Sequence, residues 1–311
     1  MPAASSVIQG FTSASISTDR GTVFAHQGGS GPAVLLLHGF PQTGLMWRDV
    51  APLLASDFTV VAMDLPGYGA SASPADGEGH IAMSKREMAA TLVQAMRLAG
   101  HDRFAVVGHD RGGRVAYRLA LDHAELVTHA IVLDVIPTYE VWERADARMA
   151  LAFWPFSFLA QPAPLPEAFI GAAPATVVEH ALAEWGSRPE AFPAWVRQAY
   201  TDALRDPARV HAICEEYRAA ASIDREHDKA DLDAGRRILC PLLVLWSDRG
   251  GLAHWYETDG GPIGLWKRWA DDVRGQAISA GHFFPEEAPS LTAGLIDEFL
   301  RDASPFGREI A

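Results

Sequence analysis

The stretch Phe104-Ala105-Val106-Val107-Gly108-His109-Asp110-Arg111-Gly112-Gly113-Arg114 decides the fold. An apolar, β-branched run from Phe104 to Val107 meets a glycine, an acidic residue and two more glycines. A helical pattern follows, with Val115, Ala116, Leu119 and Ala120 on one side. That is a strand, a sharp turn and a helix, with Asp110 at the apex. It has the form G-x-Nuc-x-G of a nucleophile elbow, with aspartate where an esterase carries serine. Glycines at 108, 112 and 113 suit a tight, strained turn in which a Cβ would clash. The plainer reading is an ordinary βα turn whose aspartate caps the helix.

Outward from the elbow, strand and helix signals alternate. Residues 1–9 read as loose, and Phe11 to Ser17 with Gly21 to His26 read as a hairpin about Thr18-Asp19-Arg20-Gly21. Val34 to Leu37 is a continuous apolar run, the mark of a strand buried on both faces, and ends in His38-Gly39-Phe40-Pro41. A helix is expected from about Leu45 to Leu54, a buried strand from Phe58 to Met63, and a turn-rich loop at Asp64 to Gly69. Ser84 to Leu98 has helical spacing, and Ile131 to Leu133 is a further buried strand ending at Asp134. Short connections between such elements predict an α/β fold, a mostly parallel sheet with helices on both faces.

After Pro137 the alternation stops. Residues 138–235 hold helical segments, several tryptophans and a proline-rich run, which predicts a helical cap inserted into a core of residues 1–137 and 236–311. The alternation resumes at Leu242 to Trp246, with a helix near Leu265 to Ala270, a weak strand at Gln276 to Ser279 and a helix from Glu286 to Leu300.

Composition narrows the function. A chain of 311 residues, 49% hydrophobic, can bury an enzyme-sized core. Its net charge of −13 argues against nucleic acid or an anionic membrane as partner. Cys214 and Cys240 lack metal-ligand spacing and read as reduced thiols of a cytoplasmic protein, with no metal and no cofactor expected. Neither a signal peptide nor a run approaching the ~20 apolar residues of a membrane span is visible.

Three chemically able residues fall where strands end, the place where parallel sheets gather their sites: Asp110, Asp134 and His282. Their order, nucleophile, acid, histidine, is that of elbow-type hydrolases. Asp248, after the next strand, competes with Asp134 for the role of acid. The backbone N–H groups of Phe40 and Arg111 are placed to form a hole for negative charge. An aspartate nucleophile displaces a leaving group from saturated carbon to give an alkyl ester, which a water activated by His282 then hydrolyses. Arg111 and Arg114, three residues apart, project from one side of the helix's first turn, against the macrodipole. Either acidic neighbours compensate them, or they bind a small anionic substrate. A carboxylate at ~4 Å from ionised Asp110 is repelled by about 4 kcal/mol at an effective dielectric of ~20, which two guanidinium groups offset.

With these residues in view, the chain resembles the α/β-hydrolase superfamily and, within it, the fluoroacetate (haloacetate) dehalogenases. The resemblance rests on His38-Gly39-Phe40-Pro41-Gln42, Asp64-Leu65-Pro66-Gly67-Tyr68-Gly69, Gly108-His109-Asp110-Arg111-Gly112, Asp134, Ile136-Pro137-Thr138-Tyr139, Phe158 to Pro164, Tyr217-Arg218-Ala219 and Gly281-His282-Phe283. It implies Asp110 as nucleophile, Asp134 and His282 as its triad partners, Arg111 and Arg114 as a carboxylate clamp, and a homodimer. It also implies three cap donors to the departing halide, a histidine, a tryptophan and a tyrosine. By position these are Pro155, Phe156 and Tyr217, so two of the three are replaced by groups that cannot donate. Trp154 and Trp185 are candidate substitutes through their indole N–H groups, with cap packing as the alternative role.

The leading expectation is therefore a hydrolytic dehalogenase of short 2-haloacids, more at ease with chloride or bromide than with fluoride. An epoxide hydrolase using the same aspartate and a cap tyrosine is the second reading, although a neutral epoxide has no use for two arginines. A catalytically silent carboxylate-binding member is the third.

Overall fold

The computed structural model describes residues 7–302; most of the loose N-terminal stretch lies outside them, and Ile8, inside, is fully buried. Eight strands form one sheet in the order β1-β2-β4-β3-β5-β6-β7-β8. They are β1 (Thr12–Thr18), β2 (Gly21–Gly29), β3 (Ala33–Leu37), β4 (Thr59–Met63), β5 (Phe104–His109), β6 (Val127–Leu133), β7 (Leu242–Ser247) and β8 (Val273–Ile278). The expected hairpin is β1–β2, with Thr18 paired to Gly21, and β2 joins β4 antiparallel. From β4 to β8 every pairing is parallel.

The apolar runs are buried on both faces, as their lack of alternation requires. Leu35, Leu37, Val61, Val106 and Val132 pack on one face with α2 (Lys85–Leu98) and α3 (Arg111–Asp122). Val34, Leu36, Val60, Val107 and Ile131 pack on the other with α1 (Ala51–Leu54) and α14 (Pro289–Asp302).

Between β6 and β7 the described chain is helical: α4 (Thr138–Glu143), α5 (Ala147–Ala152), α6 (Trp154–Phe158), α7 (Leu165–Ala172), α8 (Pro174–Glu184), α9 (Ala194–Ala203), α10 (Pro207–Ala221) and α11 (Ile223–Asp233). The core then closes with α12 (Gly261–Trp266) and α13 (Phe284–Glu287).

Two expected helices are shorter than their apolar spacing suggests, and proline explains both. Leu45 to Leu54 divides into a 3-10 turn, Gly44–Arg48, and α1, whose first turn holds Pro52. Glu286 to Leu300 breaks at Ala288 (φ −139°, ψ 55°), because the residue before Pro289 is pushed out of the helical region. Among the described residues, no helix is long and apolar enough to cross a membrane.

The sheet order sets the site. From β3 the chain steps to β4 on one side and returns to β5 on the other, so the loops after β3 and β5 diverge and leave a crevice at their carboxyl ends. Phe40 follows β3 and Asp110 follows β5.

Candidate active site

Asp110 occupies the turn between β5 and α3 with φ 46° and ψ −114°, a conformation an L-residue adopts only when its surroundings impose it. The surroundings do. A Cβ on Gly108 would stand 2.2 Å from the Gly112 carbonyl oxygen, and one on Gly112 2.5 Å from that of His38. Only glycine lets the strand and helix meet this closely. The carboxylate so presented is nearly buried, and its Oδ2 accepts the Phe40 N–H at 3.0 Å. Burial favours the neutral acid, but His282, Arg111 and the Phe40 N–H outweigh it and hold the Asp110 carboxyl below its ordinary range. Asp110 is thus kept ionised.

Asp134, also left-handed (φ 54°), ends β6 and accepts the Ser247 N–H through Oδ1 at 2.9 Å. Its Oδ2 accepts from His282 Nδ1 at 2.6 Å. Asp248, the rival acid, instead has a side chain 42% exposed and lies 3.8 Å from Arg249. With Nδ1–H fixed on Asp134, the other ring nitrogen of His282 is left for the cavity that both His282 and Asp110 line. Burial pulls the His282 pKa down, yet the hydrogen bond and charge of Asp134, with Asp110 behind it, raise it above the ordinary value.

The histidine loop is braced from two sides. The buried ring of His109 donates through Nε2 to the His282 carbonyl at 2.9 Å, and burial lowers its pKa to about 3, so it stays neutral. The cap's Trp185 carbonyl accepts the His282 N–H at 2.8 Å, and Glu287 links Ser187 to the Gly281 N–H.

The two arginines part company here. Arg111 is fully buried, and its Nε and Nη2 donate to both oxygens of Glu216 on α10 at 2.6–3.0 Å. Lys85 and the Tyr68 hydroxyl also reach that carboxylate. Arg111 does not line the cavity; its guanidinium carbon lies 4.0 Å from the centre of the Tyr217 ring, which does. Arg114 lines the cavity. It donates through Nη1 to the Ile136 carbonyl and the Thr138 hydroxyl, each at 3.1 Å. Among the described residues no carboxylate pairs with it, and its Nε is buried without a partner. Glu216 compensates Arg111 along one edge, but the Arg111 Nη1 is buried without a hydrogen-bond partner, and Arg114 has no acid partner among the described residues.

The cavity is small, about 30 Å³. Pro155, Phe156, Tyr217 and Trp185 line it from the helical stretch between β6 and β7. The two proposed substitute donors are corrected. Trp185 spends its indole N–H on the Ala152 carbonyl at 2.8 Å and stands edge-on to His282. Trp154 lies outside the cavity, its ring against Phe158 and His180, because α6 turns it toward α8.

Sequence reading missed Glu216 and Tyr256. Glu216 was signalled only by the uncompensated charge of Arg111, with nothing to say which of many acids would answer it. Tyr256, in the loop after β7, lines the cavity and had a usable signal: an aromatic pair, Trp255-Tyr256, beyond the carboxyl end of a parallel strand.

A parallel sheet, an acid at a strained elbow and an acid–histidine pair beside it define a hydrolase of one fold. The chain belongs to the α/β hydrolase fold family, whose model matches residues 32–289. Within it the chain falls in the dehalogenase family, being 43% identical over 298 residues to a fluoroacetate dehalogenase of Burkholderia sp, with 96% of each chain covered. A soluble epoxide hydrolase of Corynebacterium sp. (strain C12) is 30% identical over 281 residues, 89% of this chain and 92% of that one. A solved α/β hydrolase structure from Nostoc sp PCC 7120 superposes with a TM-score of 0.90 at 44% identity, covering 93% of this chain and 98% of the other.

Proposed function

We propose that the protein is a hydrolytic dehalogenase of short 2-haloacids, converting a haloacetate to glycolate through an ester on Asp110. The observation that carries this reading is Arg114. A buried cation without a carboxylate partner lines the same cavity as an ionised aspartate and a histidine fixed by a second aspartate.

The free oxygen of Asp110 attacks the carbon bearing the halogen, and the halide leaves with the bonding pair. Arg114 holds the substrate carboxylate and offsets its repulsion from Asp110. His282 then takes a proton from water, and the hydroxide adds to the Asp110 Cγ. Negative charge develops on the oxygen that already accepts the Phe40 N–H. The Arg111 N–H, first in α3 and without an intrahelical acceptor, is the second donor. Collapse releases glycolate carrying an oxygen from Asp110, the proton returns from His282, and the water oxygen stays in the carboxylate. Asp134 stabilises the imidazolium throughout.

Leaving-group preference follows from the cap. Pro155 and Phe156 offer no hydrogen-bond donor, and each charge-assisted bond to a departing halide is worth ~1.5–3 kcal/mol, so bromide and chloride are released more readily than fluoride. The test is halide release from bromo-, chloro- and fluoroacetate, with Asp110→Ala as control. No halide from any of the three sinks the proposal.

Epoxide hydrolysis is the second reading, favoured by two tyrosines that line the cavity, Tyr217 and Tyr256. Diol formation from styrene oxide without turnover of haloacids would select it. A homodimer is proposed alongside either reading and is checked by sedimentation.

A further inference from the structure

His109 immediately precedes Asp110, is fully buried and does not line the cavity. It is closed off from substrate, and the proposed reaction gives it no proton to carry. Histidine nevertheless fills that space at a cost. Its ring lies among aromatic groups, with centroids 4.6 Å from His282, 5.8 Å from Phe283 and 6.2 Å from Phe284. Its Nδ1 is buried without a hydrogen-bond partner. A phenyl ring would fill much the same volume and leave no such atom, and an unpaired buried polar group is destabilising. Packing does not account for the imidazole.

What the imidazole supplies is one N–H. Its Nε2 lies 2.9 Å from the His282 carbonyl oxygen, which can only accept. The proton is therefore on Nε2, and Nδ1 is the bare nitrogen. That carbonyl belongs to the base itself. On its other side, the His282 N–H is donated to the Trp185 carbonyl at 2.8 Å, and the ring Nδ1 is held by Asp134 at 2.6 Å. Together these bonds fix both backbone groups of residue 282 and one ring nitrogen, leaving the second nitrogen for chemistry.

Such precision matters in only one half of the reaction. Attack of Asp110 on carbon transfers no proton. Hydrolysis of the ester needs a nitrogen within hydrogen-bond reach of a water aimed at Cγ, and a misplacement of ~1 Å can slow a reaction about a hundredfold. Burial also keeps the His109 ring uncharged, with a pKa of about 3, so no second cation opposes the imidazolium formed at His282.

We infer that His109 is a positioning residue for ester hydrolysis, its Nε2–H holding the main chain of His282 so that the base meets the water, with no part in the alkylation of Asp110. The inference rests on the aspartyl-ester reading and goes beyond it by assigning the residue before the nucleophile to the second half-reaction alone.

The test compares His109→Phe, which keeps a ring and removes the N–H, with His109→Gln, which returns an N–H at similar reach. With bromoacetate in rapid-quench experiments, His109→Phe is expected to release its first halide per chain within about twofold of the wild-type rate. Turnover should then fall by about tenfold to a hundredfold, with the carboxymethyl ester accumulating on Asp110. His109→Gln is expected to recover most of that turnover. Without substrate, the downfield NMR resonance of the His282–Asp134 proton is expected to shift or broaden in His109→Phe and to return in His109→Gln. If the phenyl variant does not fold, His109→Asn, whose amide falls short of the carbonyl, takes its place with the same expectations. Unchanged hydrolysis overturns the inference, and so does equal slowing of both half-reactions, the mark of a generally disordered site. If the wild-type protein releases no halide, the dehalogenase reading fails. The resonance still decides the positioning role, and an unmoved signal overturns it.

Discussion

Arg111 grips Glu216 with both oxygens engaged, 105 residues apart in sequence, while Arg114 one turn along the same helix lines the cavity with no acid partner among the described residues. An acid thus holds Arg111 along its Nε–Nη2 edge and leaves its buried Nη1 unpartnered, whereas among the described residues none holds Arg114. Arg114→Gln is accordingly expected to lower kcat/KM for haloacetates by roughly a hundredfold or more, through loss of charged hydrogen bonds. Glu216→Gln is expected to leave Arg111 and Lys85 under-compensated and to cost about 3–5 kcal/mol of stability. Thermal unfolding of the two variants separates them: a large drop in Tm belongs to Glu216→Gln. The reverse pattern would contradict the division.

On the proposed mechanism, the protonation state of His282 governs ester hydrolysis. Its pKa is raised above 6.5, and only the neutral ring can accept a proton from water, so hydrolysis is expected to rise as pH climbs through a value above the ordinary one. In Asp134→Asn the supporting charge is gone and burial acts alone. The ascending limb should then move to lower pH while the plateau falls. A pH–rate profile of single-turnover ester hydrolysis measures both, and an unmoved limb would remove Asp134 from the mechanism.

On the same mechanism, His282→Gln keeps the nucleophile and disables the base. Incubated with bromoacetate, it is expected to release one halide per chain and stop, with a carboxymethyl group left on the Asp110 peptide. Mass spectrometry of that peptide reads the result; sustained turnover by this variant would mean that another base serves.

Pro155 lies in the first turn of α6 and faces the cavity. Pro155→His restores a donor there. Turnover of fluoroacetate relative to chloroacetate is expected to rise by about tenfold or more, since one charge-assisted bond is worth that much to the poorer leaving group. An unchanged ratio would show that leaving-group assistance comes from elsewhere.

Legibility from sequence divided along physical lines. β3 to β7 announced themselves because strands covered on both faces are apolar at every position, and the elbow because close backbone contact admits only glycine. The run of helices after Pro137 was legible as missing strand signals. Harder to see was whatever depended on distant partners. Nothing local in Cys214-Glu215-Glu216-Tyr217 says that the second glutamate, not the first, meets Arg111; Glu215 instead bonds His80 and Arg218. Trp185 looked like a donor because its sequence cannot reveal that the Ala152 carbonyl has claimed it.

Glu216 has a consequence for the end of the cycle. On the proposed reaction, glycolate leaves as an anion from the place where the haloacid arrived, and whatever strengthens capture also slows escape. A second free guanidinium ~4 Å away would add about 4 kcal/mol of attraction at an effective dielectric of ~20, nearly three orders of magnitude in residence time. With the Nε–Nη2 edge of Arg111 held by an internal carboxylate, the proposed site would keep enough positive charge to admit an anion while limiting its hold on the product.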